Sequence, residues 1–395
     1  MKLRGFSLGF ELNELKRFEM LDKKEKQIVF YSENQNSMFI FESLINELVH
    51  KYDMNVCYVT SSKDESILKT TNEKIKTFCV GEGIARTKFF LNLQADILIM
   101  TMPDLEAFQI KRSKVYPVHY IYIFHAIAST HLVYRKKAFD YYDTIFCVGD
   151  YQIKEIRSAE KIYNLKPKSL VNVGFSHLDN LLKKYSDDDK NLFKKNESIQ
   201  VLIAPSWGVD GLIETNIEEL IDVLLVAGYR VILRPHPMSQ KKSKKEIAYL
   251  NEKFSDNTNF ILEEDITSFD SFLQSNIMIS DWSGAALEFA FTLERPVLYI
   301  DVPKKIHNSD YAKIPHTPLE ESIRDKIGVV ISKSDVELVP SKIEKLCNNT
   351  EIIKEQIKKV RNETVFNIGE SAKIGTMRII ELLNQVKENH SEKLD

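Results

Sequence analysis

Two trains of short apolar runs constrain what this chain can fold into. The first holds QIVFYSE (27–33), NVCYVTS (55–61), KIKTFCVG (74–81), ADILIMTMP (95–103), HYIYIFH (119–125) and DTIFCVG (143–149). The second holds SIQVLIAPSW (198–207), YRVILRPHP (229–237), NFILEE (259–264), NIMISDWS (276–283), PVLYID (296–301) and GVVIS (328–332). Each run is too short for a stable helix, rich in Val and Ile, and apolar at consecutive positions. Strands of that kind lie in parallel sheets covered by helices on both faces. Stretches with helical spacing separate many of the runs, such as 37–52 with Phe41, Leu44, Ile45 and Leu48.

Between the trains, KKYSDDDKNLFKKNES (183–198) is polar, charged and poor in β-branched residues, which marks a linker. The chain therefore reads as α/β, with two Rossmann-like doubly wound domains and C-terminal helices. The expected boundaries are 1–185 for the first domain, 186–198 for the linker and 199–365 for the second domain. A C-terminal helix that packs back, with a tail, covers 366–395.

Composition narrows the function classes. The 395 residues are 43% hydrophobic and 28% charged, in the range of globular domains, and the formal net charge of -3 argues against a general polyanion binder. Lys241, Lys242, Lys244 and Lys245 form a basic cluster without interleaved aromatics, so no nucleic acid is expected. Cys57, Cys79, Cys147 and Cys347 show no CxxC spacing and read as buried free thiols, with no metal site. The start MKLRGFSLGFELNEL has no signal-peptide pattern, and no run of 18 apolar residues occurs. The expectation is a cytoplasmic protein whose peripheral attachment to the inner face of the membrane stays open.

Doubly wound sheets bind ligands beyond the carboxyl ends of their strands. In RPHP, the prolines end the strand and push Arg234 and His236 toward extended geometry. One forked guanidinium and one imidazole are thereby presented stiffly, a combination suited to phosphate. In SDWSGAALE, Asp281 ends a strand, Ser283 is placed to cap the next helix, and Gly284 allows close backbone approach. Free N–H groups at that helix start suit an anion, and Glu288 lies further along. Ser206 and Trp207 follow another strand. His125 ends a strand of the first domain and can face His236 across a cleft; His131 competes with it. VNVGFSHLD (171–179) presents Gly174, Ser176 and His177. His119 reads as structural, and His50, His307, His316 and His390 lack supporting context.

The order of a strand-end histidine, APSW, RPHP and SDWS resembles the CDP-glycerol glycerophosphotransferases, which are teichoic-acid and capsule polymerases and primases. ILRPHP matches their RPHP. ISDWSGAALEFAFTLERPVLYID resembles their TDYSS segment over its length, and VLIAPSWG resembles their APTW strand. The chain has FHA at 124–126 where the family has WHG, and Gly284 where the family has a second serine. The resemblance, over roughly 120 to 360, implies a GT-B arrangement with two domains facing a central cleft, the first on the acceptor side and the second binding the nucleotide donor.

The resemblance also implies the reaction. A polyol phosphate, glycerol phosphate foremost, would move from a CDP-activated donor to a hydroxyl of a growing teichoic-acid-like or capsule polymer, releasing CMP. The acceptor would be lipid-linked or an oligosaccharide, and an anionic membrane surface would be met through the Lys241–Lys245 cluster and Lys111, Arg112 and Lys114. His125 would be the base, with His236 the second catalytic residue. Arg234, Ser206, Asp281, Ser283, Gly284 and Glu288 would bind the donor. The sequence calls for no cofactor and leaves divalent metal dependence open. Two alternatives remain: a GT-B sugar-nucleotide enzyme of the glycosyltransferase or UDP-GlcNAc 2-epimerase kind, and an inactive scaffold in a capsule-assembly complex.

Overall fold

The structure is a computed structural model that describes residues 3–34, 37–185, 198–215, 217–265 and 268–391. All but one residue of the expected 186–198 linker lies outside the described residues.

Two wholly parallel sheets carry the chain. The first joins β1 (Ile28–Ser32), β2 (Val56–Thr60), β3 (Ile75–Cys79), β4 (Ile97–Met100), β5 (His119–Ile123), β6 (Thr144–Cys147) and β7 (Ser169–Asn172) in the order β3-β2-β1-β4-β5-β6-β7. The second joins β8 (Gln200–Ile203), β9 (Arg230–Leu233), β10 (Phe260–Leu262), β11 (Ile277–Ser280), β12 (Val297–Asp301) and β13 (Gly328–Ser332) in the order β10-β9-β8-β11-β12-β13. Every residue of β1, β2, β4, β8 and β11 is buried, as continuous apolar runs in a doubly covered sheet require. The strand order reverses between β1 and β4, and again between β8 and β11. A crevice opens at such a point, because successive crossovers leave to opposite faces.

A helix over Leu3–Glu19 precedes β1. Its Phe18 is buried edge-on against Phe78 and Phe89, with ring centroids 5.4 and 5.2 Å away. The halves meet along a polar seam. Ser129 N donates to Glu320 (2.8 Å), His307 N donates to Leu132 O (3.0 Å), and Lys136 pairs with Asp310 (2.6 Å). His131 belongs to this seam: its Nε2 donates to His316 O at 3.0 Å, and its Nδ1 lies 3.4 Å from Glu155. His119 bonds Thr144 Oγ1 (2.9 Å) inside the first sheet.

The chain returns to the first sheet near its end. Phe366 N donates to Val148 O (2.8 Å) and Asn367 Nδ2 to Asn172 O (2.6 Å); the Ser371–Ser391 helix then lies on the Met38–Asn46 and Ser176–Lys184 helices. Gly174 makes this crossing tight. Its φ is +100°, and a Cβ there would stand 2.2 Å from Phe366 O. A left-handed residue costs a side chain about 1–3 kcal/mol even without the collision. Gly174→Ala should therefore lower the unfolding free energy by at least that amount in urea titration. Amide exchange should speed up first in the Ser371–Ser391 helix; an unchanged midpoint would show that the return crossing is not tight.

Candidate active site between the two sheets

The strand ends of both sheets border one cavity of about 810 Å³. His125, Ser206, Arg234, His236, Ser283, Gly284 and Glu288 all line it, whereas Asp281 does not.

His125 follows β5. Phe124 before it is wholly buried in an aromatic cluster, 4.9 Å from Tyr122 and 5.7 Å from Tyr134 between ring centroids, and this fixes where the strand end points. The imidazole is reachable by solvent, yet it sits deep between the halves. Enclosure by protein lowers its pKa, with the Thr101 backbone working the other way. His125 is thus neutral at pH 7 and equipped to accept a proton.

The two departures from the family pattern face each other. A Cβ on Gly284 would lie 3.8 Å from the Ala126 Cβ. The extra methyl on one wall meets the missing side chain on the other, so the His125 segment approaches the start of the Ala285–Leu293 helix closely. Gly284 is the capping residue of that helix, and Ser283, expected to cap it, accepts from Ala285 N at 3.4 Å.

His236 also departs from the simplest expectation. It caps the Pro237–Lys242 helix, its Nδ1 accepting from Met238 N at 3.0 Å. The acceptor nitrogen is therefore occupied, and the neutral ring carries its hydrogen on Nε2. Burial, then the nearby Lys305 charge, lower its pKa to about 4. Such a ring is a hydrogen-bond donor at neutral pH.

Two residues expected to bind the donor have partners within the protein. Asp281 is buried beneath the cavity: Oδ1 accepts from Ser206 N (2.7 Å) and Trp282 N (2.6 Å), and Oδ2 from Leu212 N (3.3 Å). It ties the β8 loop to the end of β11. Arg234 lines the cavity, but its Nη1 is held by Glu263 (3.2 Å), Ser268 O (2.8 Å) and Ser271 Oγ (3.0 Å), with Phe272 under the guanidinium at 5.0 Å. Glu263 follows β10, the neighbour of β9, so strand order brings the pair together. Glu288 has its pKa raised by burial, opposed by His177 and Arg234.

Lys305, Lys242 and His307 were not among the expected site residues. Lys305 Nζ donates to Trp207 O (2.7 Å) and lies 3.4 Å from the Trp207 ring centroid; Lys242 Nζ lies 4.5 Å from the same ring. The His236 and His307 rings stand 6.4 and 6.5 Å from it. Lys305 follows β12, so the strand-end rule that selected Asp281 applies to it as well. The expected basic surface shrinks accordingly. Lys242 turns to Trp207, Arg112 is held by Asp143 (3.0 Å) and stacked on Tyr120, and Lys111 bonds Glu106. Among the described residues, no group of His, Cys, Asp and Glu is arranged to hold a metal ion.

Asp281→Ala would leave three backbone N–H groups at the β8–β11 crevice without their acceptor. A buried unpaired donor costs about 1–3 kcal/mol. The variant should melt at lower temperature and show altered Trp207 fluorescence, and a wild-type melt would remove Asp281 from this role.

Comparison with known proteins identifies relatives of this arrangement. The family model described as CDP-Glycerol:Poly(glycerophosphate) glycerophosphotransferase matches residues 13–305. The minor teichoic acid biosynthesis protein GgaB of Bacillus subtilis (strain 168) is 26% identical over 209 residues, covering 45% of this chain and 21% of that protein. The match thus spans about a fifth of GgaB. Among solved structures, the wall teichoic acid polymerase TagF superposes with a TM-score of 0.58 at 13% identity, over 98% of this chain and 96% of that one. The UDP-GlcNAc 2-epimerase of Methanocaldococcus jannaschii, in complex with UDP-GlcNAc and UDP, gives 0.54 at 14%, over 91% and 99%. These likenesses show the shared fold of two facing Rossmann-like halves. With the family model spanning most of its length, the chain belongs to the CDP-glycerol:poly(glycerophosphate) glycerophosphotransferase family.

Proposed function

We propose that this chain transfers glycerol phosphate, or a related polyol phosphate, from a CDP-activated donor to a hydroxyl of a growing cell-surface polymer. The observation that carries the reading is the shared cavity: a neutral His125 from the first sheet faces the N–H donors of the second. The acceptor hydroxyl oxygen attacks the polyol-bearing phosphorus as His125 takes its proton. The bond from that phosphorus to the bridging oxygen breaks, and CMP leaves with the bridge. Such transfer rests on positioning and charge stabilisation, with little covalent work for the protein. His236 Nε2–H and the Ser283 and Gly284 amides ahead of the Ala285–Leu293 helix supply hydrogen bonds to phosphate oxygens, and Glu288 a partner for ribose.

The test is CMP release from CDP-glycerol and CDP-ribitol. General-base help is worth about 10²–10⁴-fold, so His125→Ala should lose that much turnover while keeping its melting temperature. Because the His125 pKa is lowered, the base form persists below pH 6.5, and the acid limb of kcat/KM should lie below that value. Full activity in His125→Ala would remove the residue from this role. Stabilisation by UDP-GlcNAc alone would favour a sugar-nucleotide enzyme, and stabilisation by no nucleotide an inactive scaffold.

A lipid-linked acceptor would bring the chain to an anionic surface. Among the described residues, no helix is long and apolar enough to cross a membrane. Lys241, Lys244 and Lys245 are exposed on consecutive short helices, at about 1 kcal/mol per charge near anionic lipid. Reversing all three charges should abolish flotation with phosphatidylserine vesicles, and unchanged flotation would place any contact elsewhere.

A further inference from the structure

The cavity holds more positive charge than the expected residues account for. Lys305 is half-buried, and among the described residues no carboxylate lies within 4.0 Å of its ammonium. Its close partners are a carbonyl and an indole face, both of Trp207. Lys242 shares the indole, and His236 and His307 flank it. Burial, then Lys242, lower the Lys305 pKa to about 8 against the pull of Asp281 and Glu214. Lys305 in turn depresses His236 and His307, in each case after burial. A half-buried ammonium beside a second lysine is disfavoured in its charged form, and a bound anion relieves it. By contrast, the arginine beside them already has a carboxylate, since Arg234 Nη1 is held by Glu263.

We propose that Lys305, rather than Arg234, is the cation that neutralises the donor's diphosphate as CMP leaves, with the nearby Lys242 adding positive field. The inference rests on the transfer reading above and assigns its charge-stabilising residue. Trp207 is the platform that makes it work. Its carbonyl takes one N–H of Lys305 and its ring holds the ammonium in place, so the remaining N–H groups can meet phosphate without a large loss of side-chain freedom. Trp207 is itself set by Ser206, whose N–H is fixed by Asp281.

The test uses the full chain with Lys305→Met and Lys305→Arg. In the wild type the ammonium is charged below about 8 and loses its proton as pH rises through that value, so kcat/KM for the CDP donor should fall above it. Lys305→Arg keeps its charge to beyond pH 12, so the alkaline limb should vanish while activity is partly retained. Lys305→Met should lose about 10²-fold and show no limb. A purely structural lysine would lower the melting temperature and leave the limb in place, which would overturn the proposal. Calorimetry with inorganic pyrophosphate separates this inference from the transfer reading. Wild-type binding should weaken between pH 7 and pH 9.5, and Lys305→Met should bind poorly at both. Equal binding by wild type and Lys305→Met refutes the subsite. Lysine-dependent pyrophosphate binding without CMP release from any CDP-polyol would keep the subsite and refute the transfer reading.

Discussion

The second half of the candidate active site hangs on one buried carboxylate. Asp281 gathers backbone N–H groups from Ser206, Trp282 and Leu212 at the point where the second sheet reverses its strand order. Parallel strands leave such a crevice because their crossovers diverge there. A charged acceptor suits a gap lined by amides, since charge-assisted hydrogen bonds are stronger than neutral ones. The clasp has two consequences. It anchors the loop that carries Trp207, on which Lys305 and Lys242 converge, and it holds the end of β11 where the Ala285–Leu293 helix begins. The cavity's cations and its amide donors therefore share one anchor.

The first half brings His125 to the cavity, and the seam sets its distance from the second. Ala126 approaches Gly284, and Ser129 N donates to Glu320 from beyond β12. Burial raises the Glu320 pKa, opposed by its Ser129 bond. Burial alone would lower the His131 pKa, but Glu155 and the His316 carbonyl outweigh it and raise it. These groups join the halves beside His125, which is thereby held near the helix start. The seam fixes the geometry that transfer chemistry needs, because misplacing a reacting group by an ångström forfeits much of its effect.

Most of both sheets was legible in the sequence because short, continuously apolar runs rich in Val and Ile admit few other arrangements, whereas β7, half-exposed at the sheet edge, carries no such run. RPHP, SDWS and the histidine after HYIYIF were legible because prolines, a glycine and a polar residue at a strand end are local signals. What was missed is non-local. Lys305 and Trp207 are 98 residues apart and meet only because β12 lies two strands from β8 in the sheet order. Arg234 reads as a phosphate ligand in the sequence, and its ion pair with Glu263 shows only when β10 is placed beside β9. Asp281 looks the same in sequence whether it faces a ligand or a ring of amides, since burial decides between them. His307 had no motif around it, and the seam that carries it appears only when the halves are assembled.

The central claim is attack by an acceptor hydroxyl on the polyol-bearing phosphorus, with CMP as the leaving group. Transfer from CDP-glycerol carrying ¹⁸O in the bridging position, to an acceptor that ends in a glycerol phosphate hydroxyl, tests it directly by mass spectrometry of both products. The account predicts that the label leaves with CMP and that the new phosphodiester is unlabelled. Label in released glycerol phosphate, with a cytidine phosphodiester formed on the acceptor, would mean attack at the other phosphorus and would contradict the arrangement of His125, His236 and Lys305.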